Sequence, residues 1–126
     1  PERIKLNLLK CKSKFVFVPN NSDASPRVLT EAMCFDLPIL VNHNIVGGWK
    51  YVDDESGMTF KDENDLETKL DGFIEKVNKK QYQPRKHFVE NYGKEISGRK
   101  LCQFIKHNYP NVVPKANTLE YVTITI

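Results

Sequence analysis

The chain has 126 residues, 40% of them hydrophobic and 28% charged, with a net charge of +3. That is enough for one domain whose core needs no disulfides. It excludes intrinsic disorder, which requires fewer apolar residues and more net charge, and no apolar run approaches the ~20 residues that span a bilayer.

In chain order, Ile4, Leu8 and Cys11 recur at helical spacing and predict a short helix from Glu2 to about Lys12. Phe15-Val16-Phe17-Val18 is a compact β-branched and aromatic run, expected to be a strand buried on both faces. A polar loop follows, Pro19 to Ala24. Ser25-Pro26 reads as an N-cap with proline at the first helical position, opening a helix to about Phe35. Pro38-Ile39-Leu40-Val41 is a second strand, with its proline tolerated at the first position. After Asn42-His43-Asn44, Gly47-Gly48 and Trp49-Lys50-Tyr51, the segment Met58-Thr59-Phe60 behind Gly57 is a third. Asp62 to Asp65 supply the cap and first-turn acids of a helix striped by Leu66, Leu70, Phe73, Ile74 and Val77. Gln81 to Pro84 breaks it. Arg85 to His107 reads as one or two further helices, with Phe88, Ile96, Leu101, Phe104 and Ile105 inward. Tyr109-Pro110 ends them.

This alternation predicts an α/β fold with a parallel sheet covered by helices. The expected organisation is a domain over 1–109 and a linker with a β-prone tail over 110–126, the tail either returning to the sheet or beginning a further domain. The start at Pro1, with neither Met nor a signal-like segment, is expected of a piece of a longer chain.

Cys11, Cys34 and Cys102 form no C-x-x-C pair, and His43, His87 and His107 are equally scattered. No metal-ligand spacing is present, and inert thiols in a reducing compartment are expected. From Lys76 to Lys106 nine basic residues face only Glu90 and Glu95. This run is either a solvated helix face or a contact for phosphates or an anionic membrane surface. It lacks the interleaved aromatics of a single-strand nucleic-acid platform, so no nucleic-acid partner is expected.

In an open α/β sheet, ligands sit beyond the carboxyl ends of the strands. Two loops occupy that edge here, Asn20 to Pro26 and Asn42 to Tyr51. The first ends at a helix N-terminus, whose free N–H groups and dipole favour a phosphate. Ser25 adds a hydroxyl and Arg27 a charge. Glu31, about one turn on, can accept hydrogen bonds from a ribose diol, as acids do in dinucleotide folds. Asp23 can accept from sugar hydroxyls. Local readings stand beside these: Asp23 as an Asx-turn residue, and Arg27 with Glu31 as a surface pair. Gly47-Gly48 either lets backbone approach a ligand or turns the chain. His43 and Lys50 are further candidates for substrate contact. Trp49 and Tyr51 either face a sugar ring or partner domain or pack against the neighbouring helix.

Residues 15 to 42, Phe-Val-Phe-Val-Pro-Asn-Asn-Ser-Asp-Ala-Ser-Pro-Arg-Val-Leu-Thr-Glu-Ala-Met-Cys-Phe-Asp-Leu-Pro-Ile-Leu-Val-Asn, resemble the signature of GT-B glycosyltransferases of the glycosyltransferase-4 type. Gly47-Gly48, Gly57 and Phe60 fit its continuation, and the resemblance covers roughly residues 1 to 109. It implies a Rossmann-like sheet flanked by helices, the C-terminal, donor-binding half of a GT-B fold truncated on its N-terminal side. Asp23 and Glu31 are separated by seven residues, as are the family's two acids. Asp23 matches the acid that contacts the donor sugar and carries the catalytic role; Glu31 matches the one that holds the ribose. Ser25, Pro26, Arg27 and Val28 fall where the family's loop gives N–H groups to the diphosphate.

Two departures stand out: Asp23 replaces the usual Glu, and Pro26, which has no N–H, replaces the usual Gly. The resemblance implies a cytoplasmic, hexosyltransferase-like enzyme that moves a sugar from a nucleotide diphosphate donor to an acceptor hydroxyl and generally retains anomeric configuration. It implies no cofactor and no metal, and an acceptor (glycan, lipid or protein) held by a preceding domain, so that the fragment alone is inactive. Peripheral membrane contact through the basic run is compatible with it. Two other readings remain: a nucleotide-binding module without catalysis, and an interaction module docking a membrane or protein through its basic helices.

Overall fold

The computed structural model describes Asn7 and residues 12–111. The expected first helix, apart from Asn7 and Lys12, and the β-prone tail lie outside the described residues. The chain divides into two compact units, residues 1–88 and 89–126.

In the first unit, three parallel strands lie in the order β1 (Val16–Val18), β2 (Ile39–Asn42), β3 (Gly57–Phe60). Parallel neighbours need crossovers. The first contains α1 (Arg27–Cys34); the second is a loop with a single 3₁₀ turn at Trp49–Tyr51. Helices α2 (Glu63–Asn78) and α3 (Pro84–Tyr92) follow β3. The fold is α/β, with a parallel sheet flanked by helices and compatible with a Rossmann-like arrangement.

Alternation along the strands divides the core in two. On one face, Val18, Ile39, Val41 and Ile45 pack with Leu29, Ala32, Met33 and Leu37, from α1 and its exit. On the other, Leu40 and Phe60 pack with Phe73 of α2 and with Tyr82, supported by Phe15, Met58, Leu66, Leu70 and Val77. Fully burying each large apolar side chain contributes about 1.5–3 kcal/mol. Gly57 marks the tightest point of the sheet, where a Cβ would lie 1.9 Å from the Ile39 carbonyl oxygen. Only glycine lets β3 begin this close to β2.

Several expectations change. β1 is not buried on both faces: it lies at the edge of the described sheet, and Phe17 is 46% exposed despite its ring contact with Phe60 at 5.5 Å. The helix after the first loop starts one residue later than expected. Pro26 is its N-cap in extended geometry, its carbonyl accepts from Leu29 N–H at 3.1 Å, and no side chain caps the end. Ile74 stands exposed beside the buried stripe of α2, because that helix meets the sheet along a face centred on Phe73. The predicted acidic start of α2 is present: Asp62 caps it by accepting from Asp65 N–H at 2.9 Å.

Past α2, Pro84 opens α3 rather than merely breaking a helix, as a residue without N–H can at a first turn. In the second unit, α4 (Lys94–Asn108) leaves Leu101 and Phe104, both expected inward, 59% and 57% exposed. No residue of α4 is buried, so helical spacing there does not mark a packed stripe. Cys34 is exposed and Cys102 half-buried; both are free thiols.

Tyr82 gives a first prediction. Its hydroxyl is buried and has no hydrogen-bond partner among the described residues. Burial raises its pKa above the usual 10.0, and the charge of Asp54 adds to the rise. The folded state therefore holds the phenol proton more tightly than the unfolded chain. The resulting stability is intact below about pH 10 and is lost as pH climbs through the raised value. Tyr82→Phe is expected to leave neutral-pH stability unchanged or raise it by up to about 1 kcal/mol. The variant also loses less stability in alkali than the wild type, as urea titrations at about pH 8 and about pH 11 would show.

Candidate functional site

The register pairs Val16 with Ile39 and Val18 with Val41, so β1 and β2 end at the same level. The two loops leave the sheet side by side and are fastened to each other. Asn42, the last residue of β2, donates its side-chain amide to the Pro19 carbonyl at 2.9 Å and accepts from Asn44 N–H at 3.0 Å. Val46 N–H donates to Asn21 C=O at 3.3 Å, and Gly47 N–H to Asp23 C=O at 3.2 Å. Sequence reading did not assign Asn42 this role, because its partner lies 23 positions away.

Gly47 and Gly48 owe their identity to this contact. A Cβ on Gly47 would sit 1.7 Å from the Ala24 carbonyl oxygen; one on Gly48 would meet Leu29 and Pro26 at 2.8 and 2.9 Å. No glycine among the described residues has positive φ, so the pair is there for close approach between the loops and not for a left-handed turn.

The predicted residues fall on this edge as follows. Asp23 is half-buried, and its Oδ1 accepts from Ser25 N–H at 2.9 Å. This is an Asx turn, which leaves Asp23 Oδ2 as the oxygen for other partners. Ser25 and Arg27 are exposed at the mouth of α1, and Val28 is half-buried. Leu29 N–H makes the first bond of the helix, to Pro26. The N–H groups of Arg27 and Val28 precede that bond and belong to the helix's orphan donors. Thr30 Oγ1 donates back to the Arg27 carbonyl at 2.9 Å, tightening the first turn. Glu31 is half-buried one turn in.

The second loop contributes less. His43 is exposed, and its N–H donates to the Phe60 carbonyl at 2.7 Å, which ties it to β3 and not to the first loop. Lys50 holds its Nζ 5.0 Å from the Tyr51 ring centroid. Tyr51 packs against the α1-side core, whereas Trp49 is 57% exposed.

A second constellation lies elsewhere, where the chain enters the amino end of β3. Asp53 Oδ2 is 2.7 Å from His87 Nδ1, and Glu55 Oε2 is 3.7 Å from the same nitrogen. The His87 side chain is 9% exposed. Ser56, fully buried in the same turn, donates its hydroxyl to Tyr51 C=O at 2.7 Å and accepts from Asp53 N–H at 2.9 Å. In the sequence His87 stands only among scattered histidines, since nothing local links it to acids 32 and 34 positions earlier.

Comparison with protein-family models, curated proteins and solved structures finds no match.

Proposed function

We propose that this chain is the donor-binding part of a glycosyltransferase that moves a sugar from a nucleotide diphosphate-sugar to an acceptor hydroxyl. The observation that carries the reading is the joined pair of loops at the carboxyl edge of the sheet. Hydrogen bonds from the second loop hold the first in place, and α1 opens from it with Arg27 at its mouth and Glu31 one turn in. A helix N-terminus at the carboxyl edge of a parallel sheet is the arrangement by which α/β folds take phosphates.

In this reading the diphosphate sits against the N–H groups of Arg27 and Val28, with the Ser25 hydroxyl and the Arg27 guanidinium beside it. Glu31 accepts from the ribose hydroxyls. Asp23 keeps one oxygen in its turn and offers the other to the donor sugar. When the glycosidic bond breaks, negative charge grows on the leaving phosphate. The fixed N–H groups and Arg27 then stabilise the transition state without reorganising. Exposed Trp49 and Val46 lie within the second loop, where an acceptor or a partner domain approaches.

The two halves of the site separate experimentally. In calorimetric titrations of this chain, Glu31→Ala is expected to weaken UDP or GDP binding by about tenfold, the loss of a charged hydrogen bond, and to leave inorganic pyrophosphate binding unchanged. Arg27→Ala weakens both. Equal effects of the two variants on both ligands contradict the assignment.

A further inference from the structure

We propose that His87, Asp53 and Glu55 form a binding site for a first-row divalent cation, one that fastens α3 to the turn feeding β3. The three residues offer one imidazole nitrogen and two carboxylate oxygens, all within 4.8 Å of one another. That donor set suits zinc and its neighbours better than magnesium or calcium, which favour oxygen alone. Zinc bonds to nitrogen and oxygen are about 2.0–2.2 Å, so adjacent ligand atoms sit roughly 3.3 Å apart around a tetrahedral ion. Here Nδ1 lies 2.7 Å from Asp53 and 3.7 Å from Glu55. Small rotations of the two exposed carboxylates bring both onto the ion.

The backbone holds the ligands in place. Asp53 Oδ1 accepts from the N–H groups of Glu55 and Ser56 at 3.0 and 2.9 Å, which turns Oδ2 toward the imidazole. Gln83 N–H donates to the Glu55 carbonyl at 2.7 Å, and His87 N–H donates to the Gln83 carbonyl at 3.0 Å. The helix carrying the nitrogen and the turn carrying the oxygens are thus already tied.

Three protein ligands leave further positions on the ion for water. A divalent ion also offsets the mutual repulsion of the consecutive acids Asp53, Asp54 and Glu55. It takes the Nδ1 lone pair, so the imidazole binds neutral with its proton on Nε2. This site adjoins the amino end of β3, whereas the sugar-donor loops leave the carboxyl ends of β1 and β2. It requires nothing of the sugar-transfer reading.

The test is calorimetric titration of the chelator-treated chain with zinc chloride, paired with thermal unfolding. Saturable one-to-one binding and a zinc-dependent rise in Tm are expected. Both should weaken by at least about tenfold in affinity in His87→Gln and Asp53→Asn, and persist in His43→Gln and in the double variant Cys34→Ser, Cys102→Ser. Glu55→Gln, which changes an exposed carboxylate, keeps the test open should His87→Gln fail to fold. Cobalt substitution should give a visible spectrum without thiolate charge-transfer bands. No saturable binding, binding unchanged in both Asp53→Asn and Glu55→Gln, or a thiolate band overturns the proposal.

Discussion

Phe73→Ala is expected to lower the unfolding free energy by about 3–5 kcal/mol, the cost of removing a buried aromatic and leaving a cavity. Phe73 is fully buried at the centre of the α2-side core. Its ring meets Phe15 edge-on at 5.1 Å and Tyr82 at 5.5 Å, so truncation strips contacts from the lead-in to β1, from the sheet and from the segment before α3 together. A loss this size is a large share of the 5–15 kcal/mol that holds most domains folded. The effect is global: the molecules that remain folded keep the α1-side face and both carboxyl-edge loops. Urea titration followed by circular dichroism reads the loss, and nucleotide binding by the folded fraction should be unchanged.

Gly47→Ala has the opposite signature. The added Cβ would lie 1.7 Å from the Ala24 carbonyl oxygen, a backbone atom that cannot swing away as a side-chain end does. Either the two loops separate, losing the Gly47–Asp23 and Val46–Asn21 hydrogen bonds, or the chain strains around the new methyl. Overpacking of this kind costs about 1–3 kcal/mol, less than the loss of Phe73. Its damage is concentrated where Asp23, Ser25 and α1 meet. Nucleoside diphosphate affinity is therefore expected to fall by about tenfold or more, since misplacing a preorganised site by about 1 Å costs up to 10²-fold. The melting transition should shift only moderately. Full affinity in a folded Gly47→Ala protein would show that the second loop has no part in shaping the site.

These two variants also mark what could be read from the chain. The α2 helix was legible at both levels. Its cap is local, Asp62 to Asp65, and its stripe places Phe73 at the centre of a face, so short-range chemistry and periodicity agree. Phe15 to Val18 was legible as a strand but not as an edge. An apolar run records what a strand can bury and does not say which neighbours cover it, and Phe17 stands half open. The same limit applies to α4, whose Leu101 and Phe104 have helical spacing and face outward.

At the candidate site, residue types were legible and their joinery was not. Asp23, Ser25, Arg27 and Glu31 lie within nine consecutive residues, and a strand, loop and helix in that order place them together. The roles of Asn42 and Gly47 depend on β1 and β2 ending at one level, which only the sheet register fixes. The Asp53, Glu55 and His87 cluster is the extreme case. It forms because α3 folds back onto the turn before β3, with Gln83 bound to the Glu55 carbonyl, and no pattern of ligand spacing announces it.

The central claim is that the loops at the carboxyl edge of the sheet hold a nucleoside diphosphate. Its most direct test is an amide chemical-shift titration of this chain with UDP and GDP. Saturable shifts are expected at Arg27 and Val28, at Ser25, and at Gly47 and Gly48 across the loop contact, with small changes at Ser56 and Gly57, at the opposite, amino end of β3. A folded protein with no saturable shifts at Ser25 to Val28, or with shifts confined to residues away from both loops, would contradict it.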